Sequence, residues 1–210
     1  MNPMLAQLKK ALREAAPDTW DLSDDTMNSK ARMIPEGIVP KPAAVLVGLV
    51  ERAQGLQVLL TQRHARLAKH GGQVAFPGGR MDAGETVLGA ALREAFEEIR
   101  LAPEFVQPMG FLDGYLTVTG YFVRPVVALL KPGFSLQAEP DEVDDIFEVP
   151  LDFLLDPANR ETQSREWQGM TRFYYAYTFQ DRYIWGATAG MIKNLSDRIH
   201  ATQIEPAIPR

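Results

Sequence analysis

The chain contains no cysteine. Disulfide bonds, zinc sites built on thiolates and cysteine nucleophiles are therefore excluded, and a reducing compartment is compatible with the composition. No apolar run approaches the roughly 20 residues that a membrane-spanning helix needs. No uninterrupted hydrophobic block follows the basic residues near the N-terminus, as a secretory signal would require. We therefore expect a soluble, cytoplasmic protein that does not act at a membrane.

Positive charge is also scarce. The 22 lysines and arginines are outnumbered by 27 aspartates and glutamates, which gives a net charge of −5. Nucleic-acid-binding proteins carry a basic surface, so nucleic acid is not an expected partner, although a local basic pocket stays compatible with this charge. With 46% hydrophobic and 23% charged residues over 210 positions, the composition predicts one globular domain with a small extension.

The N-terminal residues 4 to 15 have the pattern of an amphipathic helix. Leu5, Leu8 and Leu12 recur on one stripe. We expect this stripe to pack on the rest of the domain or on a second subunit rather than on a membrane. A homodimer is therefore compatible with the sequence.

The remainder of the chain divides near residue 42. Residues 17–41 mix Asp, Pro and Gly with scattered apolar residues, which predicts an extended connection. Two compact apolar runs at 43–51 and 56–63 predict a β-hairpin. The sequence therefore predicts an N-terminal segment, residues 1–41, and a main domain, residues 42–210.

The main domain alternates between strand-like and helix-like segments. Five glycines and a proline in residues 64–84 predict an irregular loop. Apolar residues at three- and four-residue steps predict helices from Glu85 to about Arg100 and over 187–199. Strand-like runs occupy residues 105–112, 121–130, 144–149, 171–179 and 182–185. This order predicts an α/β fold in which a mixed β-sheet lies between helices.

Acidic residues cluster on the central predicted helix. Within Arg93-Glu-Ala-Phe-Glu-Glu98, Glu94 lies one turn from both Glu97 and Glu98. Like charges at these spacings cost about 0.2–0.5 kcal/mol per pair on an exposed helix. The ordinary interpretation is a solvated acidic face. The alternative is a divalent cation site, because Mg²⁺ and Mn²⁺ prefer hard oxygen ligands.

The loop before this helix favours the cation. Phe76-Pro-Gly-Gly79 ends in two glycines, which let backbone groups approach an ion or a phosphate closely. Gly84 then permits the turn into the helix. Arg93 is placed to pair with Glu85 or Glu97 and to hold the cluster together.

These residues resemble the Nudix box, Gly-x5-Glu-x7-Arg-Glu-U-x-Glu-Glu-x-Gly-U, in which U is aliphatic. The matching residues are Gly79, Glu85, Arg93, Glu94, Glu97 and Glu98. The resemblance implies a Nudix-type α/β/α sandwich and a metal-dependent pyrophosphohydrolase. Arg100 replaces the final glycine of the box. That glycine usually adopts left-handed backbone angles, so an arginine there costs on the order of 1 kcal/mol or forces a different exit from the helix.

A second motif looks like that of the coenzyme A pyrophosphatase branch of the family. Leu59-Leu-Thr-Gln-Arg63 leads through a glycine-containing loop into Phe76-Pro-Gly-Gly79, similar to the pattern Leu-Leu-Thr-x-Arg-Ser-x3-Arg-x3-Gly-x3-Phe-Pro-Gly-Gly. His64 replaces the serine of that pattern, and Ala68 replaces its second arginine. Similar segments extend over residues 42–199. The resemblance implies hydrolysis of coenzyme A or acyl-coenzyme A to adenosine 3′,5′-bisphosphate and 4′-phosphopantetheine.

The resemblance also implies roles for individual residues. The expected ligands of Mg²⁺ or Mn²⁺ are Gly79 through its carbonyl, Glu94, Glu97 and Glu98. The expected catalytic residues are Arg93, Glu94, Glu98 and Glu142. Glu142 is the first candidate for the general base, because related enzymes often bring a carboxylate from a distant loop, and Glu94 is the second. The ordinary interpretation of Glu142 is a residue of an acidic surface loop.

Binding of a phosphate-rich substrate requires positive charge. The expected substrate-binding residues are Arg63, Arg66, Lys69, His70 and Arg80. Arginine suits forked contacts with phosphate. Taken singly, each residue of the loop is equally well explained as a solvated charge.

Two other functions stay open. One is hydrolysis of a different nucleoside diphosphate derivative, such as ADP-ribose or the dinucleotide NADH. The other is a catalytically silent domain that binds nucleotides as a regulator, against which the complete acidic cluster argues. Tyr115 and Trp185 could stack on adenine, but aromatic residues of this kind more often pack in the core.

Overall fold

The structure is a computed structural model that describes residues 3–24, 26–28, 37, 39–67, 70–167 and 169–204. Its α-helices are α1 (Pro3–Ala11), α2 (Val87–Ile99), α3 (Leu151–Leu155) and α4 (Ala187–Ile204). Its strands are β1 (Trp20–Ser23), β2 (Lys41–Arg52), β3 (Gly55–Arg63), β4 (Val74–Ala75), β5 (Gly78–Arg80), β6 (Val106–Phe111), β7 (Gly114–Leu116), β8 (Tyr121–Leu130), β9 (Val143–Pro150), β10 (Arg160–Trp167), β11 (Met170–Phe179) and β12 (Arg182–Trp185). None of the helices in the described chain is long and apolar enough to cross a membrane.

The long apolar strand β2 is the centre of a nine-stranded mixed sheet. It pairs in parallel with β8, from Lys41 opposite Tyr121 to Val50 opposite Leu130, and forms an antiparallel hairpin with β3. The strand order is β1-β7-β8-β2-β3-β4, with β5 beside β2, β6 beside β8 and β9 beside β3. The predicted hairpin and the predicted mixed sheet are confirmed.

Alternate side chains of β2 enter two separate cores. Ala44 and Leu46 belong to the core beneath α2. Val47 and Leu49 belong to the opposite core, which α1, α3 and α4 cover. All four side chains have an exposure of 0%, and burying a valine or leucine contributes about 1.5–3 kcal/mol. A shift of one residue would exchange the two faces, so this alternation fixes the register of the strand.

Helix α2 begins at a side-chain cap and ends in a strained residue. The Thr86 hydroxyl accepts a hydrogen bond from the Gly89 N–H at 3.0 Å. At the other end, Arg100 has φ 56° and ψ 25°, and its N–H donates to the Phe96 carbonyl at 3.0 Å. Arg100 therefore adopts the left-handed exit that glycine usually provides. Its side chain pairs with Glu139.

Helix α1 packs against a hydrophobic core of the same chain. Leu8 is fully buried in the core that includes residues of α4, and Leu12 is 7% exposed. The helix ends at Ala11 rather than at the predicted Ala15. The apolar stripe of the sequence is therefore covered by the chain itself.

The segment after α1 is also paired with the main sheet. Strand β1 lies parallel to β7, inside the region 17–41 that was predicted to be an extended connection. The buried Asp24 carboxylate then accepts a hydrogen bond from the Tyr115 hydroxyl at 2.9 Å and pairs with Arg172 of β11 at 3.0 Å. The domain boundary at residue 42 stays a prediction.

A second sheet, formed by β10, β11 and β12, is antiparallel and was only partly predicted. The sequence indicates β11 and β12, but β10 (Arg-Glu-Thr-Gln-Ser-Arg-Glu-Trp) has almost no apolar alternation. It is a strand because its backbone pairs with β11, with Arg160 opposite Tyr177. Propensity and periodicity cannot reveal a strand that depends on a neighbour in this way.

The strained exit of α2 predicts a difference between two substitutions at Arg100. Arg100→Ala and Arg100→Gly both remove the ion pair with Glu139, but only glycine adopts the left-handed conformation without a steric cost. We expect the glycine variant to have a free energy of unfolding about 1 kcal/mol higher than the alanine variant, measured by urea denaturation. Equal stabilities would contradict the strained exit.

Candidate active site

A glycine loop brings the backbone against the acidic face of α2. Strand β5 pairs with β2, which places Gly79 opposite Ala44. The Glu94 carboxylate lies so close to Gly79 that an added Cβ would be 2.6 Å from its Cδ and Oε2 atoms. Real Cβ atoms do not approach other atoms so closely, so the side chain at this position must be absent. The glycine loop thus packs its backbone against Glu94, and its predicted approach to an ion or a phosphate stays a prediction.

Arg93 binds three carboxylates at once. Its Nε and Nη2 donate to the two oxygens of Glu85 at 2.8 and 3.1 Å. Its Nη1 donates to Glu94 and to Glu97, each at 2.9 Å. Forked contacts of this kind are the strong class of ion pair, and the hydrogen bonds from Arg93 lower the pKa of Glu85 to about 2. Both predicted partners of Arg93 are present.

Glu98 lies at the buried side of the cluster, with an exposure of 2%. Its Oε1 accepts a hydrogen bond from Arg63 Nη1 at 3.0 Å, and its Oε2 accepts one from the Gly78 N–H at 3.1 Å. Burial raises the pKa of Glu98 to about 7, although the charge of Arg63 and the Gly78 N–H oppose that rise. The ion pair joins residues 35 positions apart, and the sequence analysis did not find it.

Glu142 approaches the same helix from the loop before β9. Burial is the main cause of the raised pKa of Glu94 and of Glu98, and the charge of Glu142 raises both further. The loop is anchored on the end of α2, because the Glu139 N–H donates to the Glu98 carbonyl at 2.8 Å. The loop that carries Glu142 therefore lies beside the end of the helix, and the role of Glu142 stays a prediction.

The cluster is short of positive charge. Its carboxylates are Glu85, Glu94, Glu97, Glu98 and Glu142, and the guanidinium groups bound to them are Arg63 and Arg93. When all seven groups are ionised, three negative charges stay uncompensated. Repulsion between carboxylates disfavours the charged forms and is stronger at buried positions. A cation at this site would therefore be stabilised electrostatically.

The predicted substrate-binding residues differ in exposure. Arg66, His70 and Arg80 are exposed, whereas Arg63 is partly buried in its ion pair with α2. Lys69 lies outside the described residues. The structure thus places Arg63 at the acidic cluster and leaves the other described residues accessible on the surrounding loops.

His64 has a partner that the sequence analysis missed. Its Nδ1 contacts the Asp144 carboxylate, and the Ala65 N–H donates to the other oxygen of Asp144 at 2.9 Å. The backbone N–H of His64 also donates to the backbone carbonyl of Glu142 at 2.8 Å. These contacts attach the loop after β3 to the segment that carries Glu142. The replacement of the motif serine by His64 was the available signal.

The aromatic candidates serve mainly as packing residues. Tyr115 is 7% exposed and donates its hydroxyl to Asp24. Trp185 lies edge-on to Tyr174, with a centroid distance of 5.3 Å, and the guanidinium carbon of Arg165 lies 4.6 Å from its ring centroid. Tyr115 is therefore a core residue, and Trp185 belongs to a stack on the second sheet.

Comparison with known proteins identifies the family. The NUDIX domain family matches residues 40–183. An uncharacterized Nudix hydrolase NudL of Citrobacter koseri is 42% identical over 161 residues, which cover 76% of this chain and 83% of the relative. An uncharacterized Nudix hydrolase NudL of Klebsiella pneumoniae is 42% identical over 163 residues, which cover 77% and 84%. The chain belongs to the Nudix hydrolase family.

Solved structures agree with the Nudix fold. The Nudix hydrolase RenU from M. smegmatis has a TM-score of 0.51 at 19% identity, and the match covers 84% of this chain and 100% of that one. A MutT protein from Methanosarcina mazei Go1 has a TM-score of 0.51 at 15% identity, with 80% and 100% covered. At these identities the likeness concerns the fold alone. The α/β fold is confirmed, and membership of the family makes the protein a pyrophosphohydrolase.

Nudix hydrolases generally use divalent metals such as Mg²⁺ or Mn²⁺, and the donors here suit such an ion. Within the described ranges, no group of three acidic or histidine side chains is arranged as a metal site. Arg93 binds Glu94 and Glu97, and Arg63 binds Glu98. The carboxylate oxygens are nevertheless hard donors with uncompensated charge, and the side chains would have to converge to hold one ion. The ligand set stays a prediction.

The contact between Gly79 and Glu94 predicts the effect of Gly79→Ala. The added methyl group would displace the Glu94 carboxylate, and a displacement of about 1 Å near reacting groups can lower the rate about 100-fold. We expect a loss of that size in pyrophosphate hydrolysis, with a folded protein by circular dichroism. Gly89→Ala, which adds a methyl group on α2 beside Thr86, is the control and should stay close to wild type. Undiminished turnover of Gly79→Ala would contradict the geometry.

Proposed function

We propose that this Nudix hydrolase cleaves the pyrophosphate linkage of coenzyme A or acyl-coenzyme A, giving adenosine 3′,5′-bisphosphate and 4′-phosphopantetheine or its acyl form. The 3.0 Å ion pair between Arg63 and Glu98 is the observation that supports it most. Arg63 ends the segment that resembles the coenzyme A branch, and Glu98 belongs to the Nudix box. The motif that indicates the substrate class is therefore ion-paired with a residue of the proposed metal site.

The accessible basic residues also support this substrate class. Coenzyme A carries a 3′-phosphate in addition to its pyrophosphate, so it requires more positive charge than ADP-ribose does. Arg66 and His70 are exposed on the loop between β3 and β4, and Arg80 is exposed at the end of β5. Exposed cations on the segments that continue from Arg63 and Gly79 are suited to bind the phosphates of the substrate.

Mg²⁺ or Mn²⁺ is the proposed cofactor. Glu94, Glu97 and Glu98 would hold it, with the Gly79 carbonyl as a further ligand. A bound divalent cation neutralises phosphate oxygens and makes water more acidic. Arg93 keeps the loop residue Glu85 attached to the helix, and this contact holds the glycine loop against the ligands.

Glu142 is the proposed general base. Its charge acts on both Glu94 and Glu98, which supports a position from which it can accept a proton from the attacking water. His64 and Asp144 attach the Glu142 segment to the loop after β3 and so restrict its movement. Glu94 is the second candidate.

The proposed partner is a small nucleotide, and the proposed compartment is the cytoplasm, with which the lack of cysteine is compatible. The apolar stripe at the N-terminus was compatible with a homodimer. Because Leu8 and Leu12 are buried within the same chain, these two residues give no further support to one.

A substrate panel tests the assignment. We expect coenzyme A and an acyl-coenzyme A to give adenosine 3′,5′-bisphosphate faster than ADP-ribose or NADH gives AMP, with Mg²⁺ or Mn²⁺ present. Products are separated by anion-exchange chromatography and identified by mass. A preference for ADP-ribose or NADH would reject coenzyme A as the substrate. Hydrolysis of none of them would favour a silent nucleotide-binding regulator.

Substitutions in the acidic cluster separate a ligand from a base. Glu98→Gln keeps the shape of the side chain but removes the charge, so turnover should fall by about 1000-fold or more together with Mn²⁺ affinity. Glu142→Gln should lower turnover while Mn²⁺ affinity, measured by electron paramagnetic resonance, stays near wild type. The exposed Glu104 provides the control Glu104→Gln. Wild-type turnover of Glu98→Gln would reject the assigned cluster.

A further inference from the structure

Arg124 of β8 is a partly buried cation without a counter-ion. Among the described residues it forms no ion pair, and its Nε is buried without a hydrogen-bond acceptor. Its Nη1 lies 3.6 Å from the Met81 sulfur, a weak acceptor, and its guanidinium carbon lies 4.5 Å from the centroid of the Phe122 ring. These contacts satisfy little of the hydrogen-bonding capacity of a guanidinium group.

Such an arrangement is costly for stability. A buried polar group without a partner costs about 1–3 kcal/mol, and more when the group is charged. The other arginines near the acidic cluster, Arg63 and Arg93, are each paired with carboxylates. Arg124 therefore differs from them. Its Nε is enclosed, but its Nη2 is not among the buried atoms and forms no hydrogen bond with the described residues, so this end of the guanidinium group can bind an anion from outside the chain.

The register of the sheet places Arg124 near the glycine loop. Ala44 of β2 lies between Arg124 on one side and Gly79 on the other. Two strand spacings separate the Cα atoms of Arg124 and Gly79, which is about 10 Å. Residues directly opposite each other on neighbouring strands share a face, and Ala44 belongs to the face covered by α2. Arg124 thus lies on the side of the sheet that carries Glu94.

The contact with Met81 attaches the guanidinium group to the segment that follows the glycine loop. Met81 follows Arg80, whose carbonyl accepts a hydrogen bond from Arg93 Nη2 at 3.0 Å. Arg80 and Met81, the two residues after Gly79, therefore link Arg124 to Arg93 of the acidic cluster. An arginine within one side-chain length of this loop can reach a substrate phosphate held there.

We propose that Arg124 binds a phosphate group of the nucleotide substrate through its unsatisfied N–H groups. The inference rests on the proposed pyrophosphatase function and adds a residue outside both sequence motifs. The fork of the guanidinium group matches the oxygens of a phosphate. Two parts of coenzyme A, the pyrophosphate linkage and the 3′-phosphate, offer the same chemistry.

The test compares kinetics with stability. Arg124→Met should raise KM for coenzyme A by about 10- to 100-fold, with a smaller change in kcat. The melting temperature should stay the same or rise, because the substitution removes a buried donor that has no acceptor. Arg124→Lys, which keeps the charge but loses the fork, should give an intermediate KM. A purely structural residue would lower stability and leave KM unchanged.

A matched control is available on the same sheet. Arg52 lies eight residues beyond Ala44 along β2, about 26 Å away, and its guanidinium also lies over an aromatic ring, that of Phe134. Unlike Arg124, it is ion-paired, with Glu148 at 2.6 Å. Arg52→Met should leave KM at the wild-type value.

Two substrates identify the phosphate. If KM rises for coenzyme A but not for 3′-dephospho-coenzyme A, Arg124 binds the 3′-phosphate. If KM rises for both, Arg124 binds the pyrophosphate. Wild-type KM values of Arg124→Met for both substrates would overturn the proposal.

Binding of adenosine 3′,5′-bisphosphate, measured by calorimetry, separates this proposal from the proposed function. If the wild-type protein cleaves neither coenzyme compound, the proposed substrate is wrong, yet weaker binding by Arg124→Met than by wild type would still support the role of Arg124. Equal affinity of the two proteins, or no binding by either, would overturn it.

Discussion

The candidate site depends on the crowding of carboxylates around two turns of one helix. Close packing of the Gly79 backbone against Glu94 restricts the position of that carboxylate, and Glu98 is almost completely buried. Two arginines offset part of the repulsion, and the remainder favours a divalent cation. Repulsion between uncompensated carboxylates lowers the stability of the folded chain, so stability alone does not explain this helix face. Its arrangement is understandable as a proposed cation site, because a divalent ion offsets two of the three uncompensated negative charges.

The two arginines also determine which parts of the chain meet. Arg93 connects the glycine loop to α2 through Glu85, over a short distance in sequence. Arg63 connects α2 to the end of β3 through Glu98, and His64 continues from there to the Glu142 segment. Consecutive polar contacts thus join the glycine loop, α2, the end of β3 and the segment that carries Glu142. Such networks position groups more precisely than separate surface ion pairs do.

The sequence predicted those features that have a local cause. The spacing of the box residues, the amphipathic pattern of α2 and the apolar runs of β2 and β3 each depend on neighbouring residues, and the structure contains these elements. Contacts between distant segments were not predictable in the same way. The pairing of Arg63 with Glu98, the strand β10 and the partner of His64 depend on tertiary neighbours. Arg100 was recognised as unusual, but only the backbone angles reveal that it accepts the left-handed exit.

Asp24 joins the chain before the family-matched region, residues 40–183, to both sheets. Without that carboxylate, Arg172 would be a buried cation with no ionic partner, and the Tyr115 hydroxyl would lose its acceptor. Breaking a buried ion pair by removing one partner costs about 3–5 kcal/mol, a large share of the roughly 5–15 kcal/mol that stabilises a typical domain. A residue outside the family-matched region therefore contributes to the stability of both sheets.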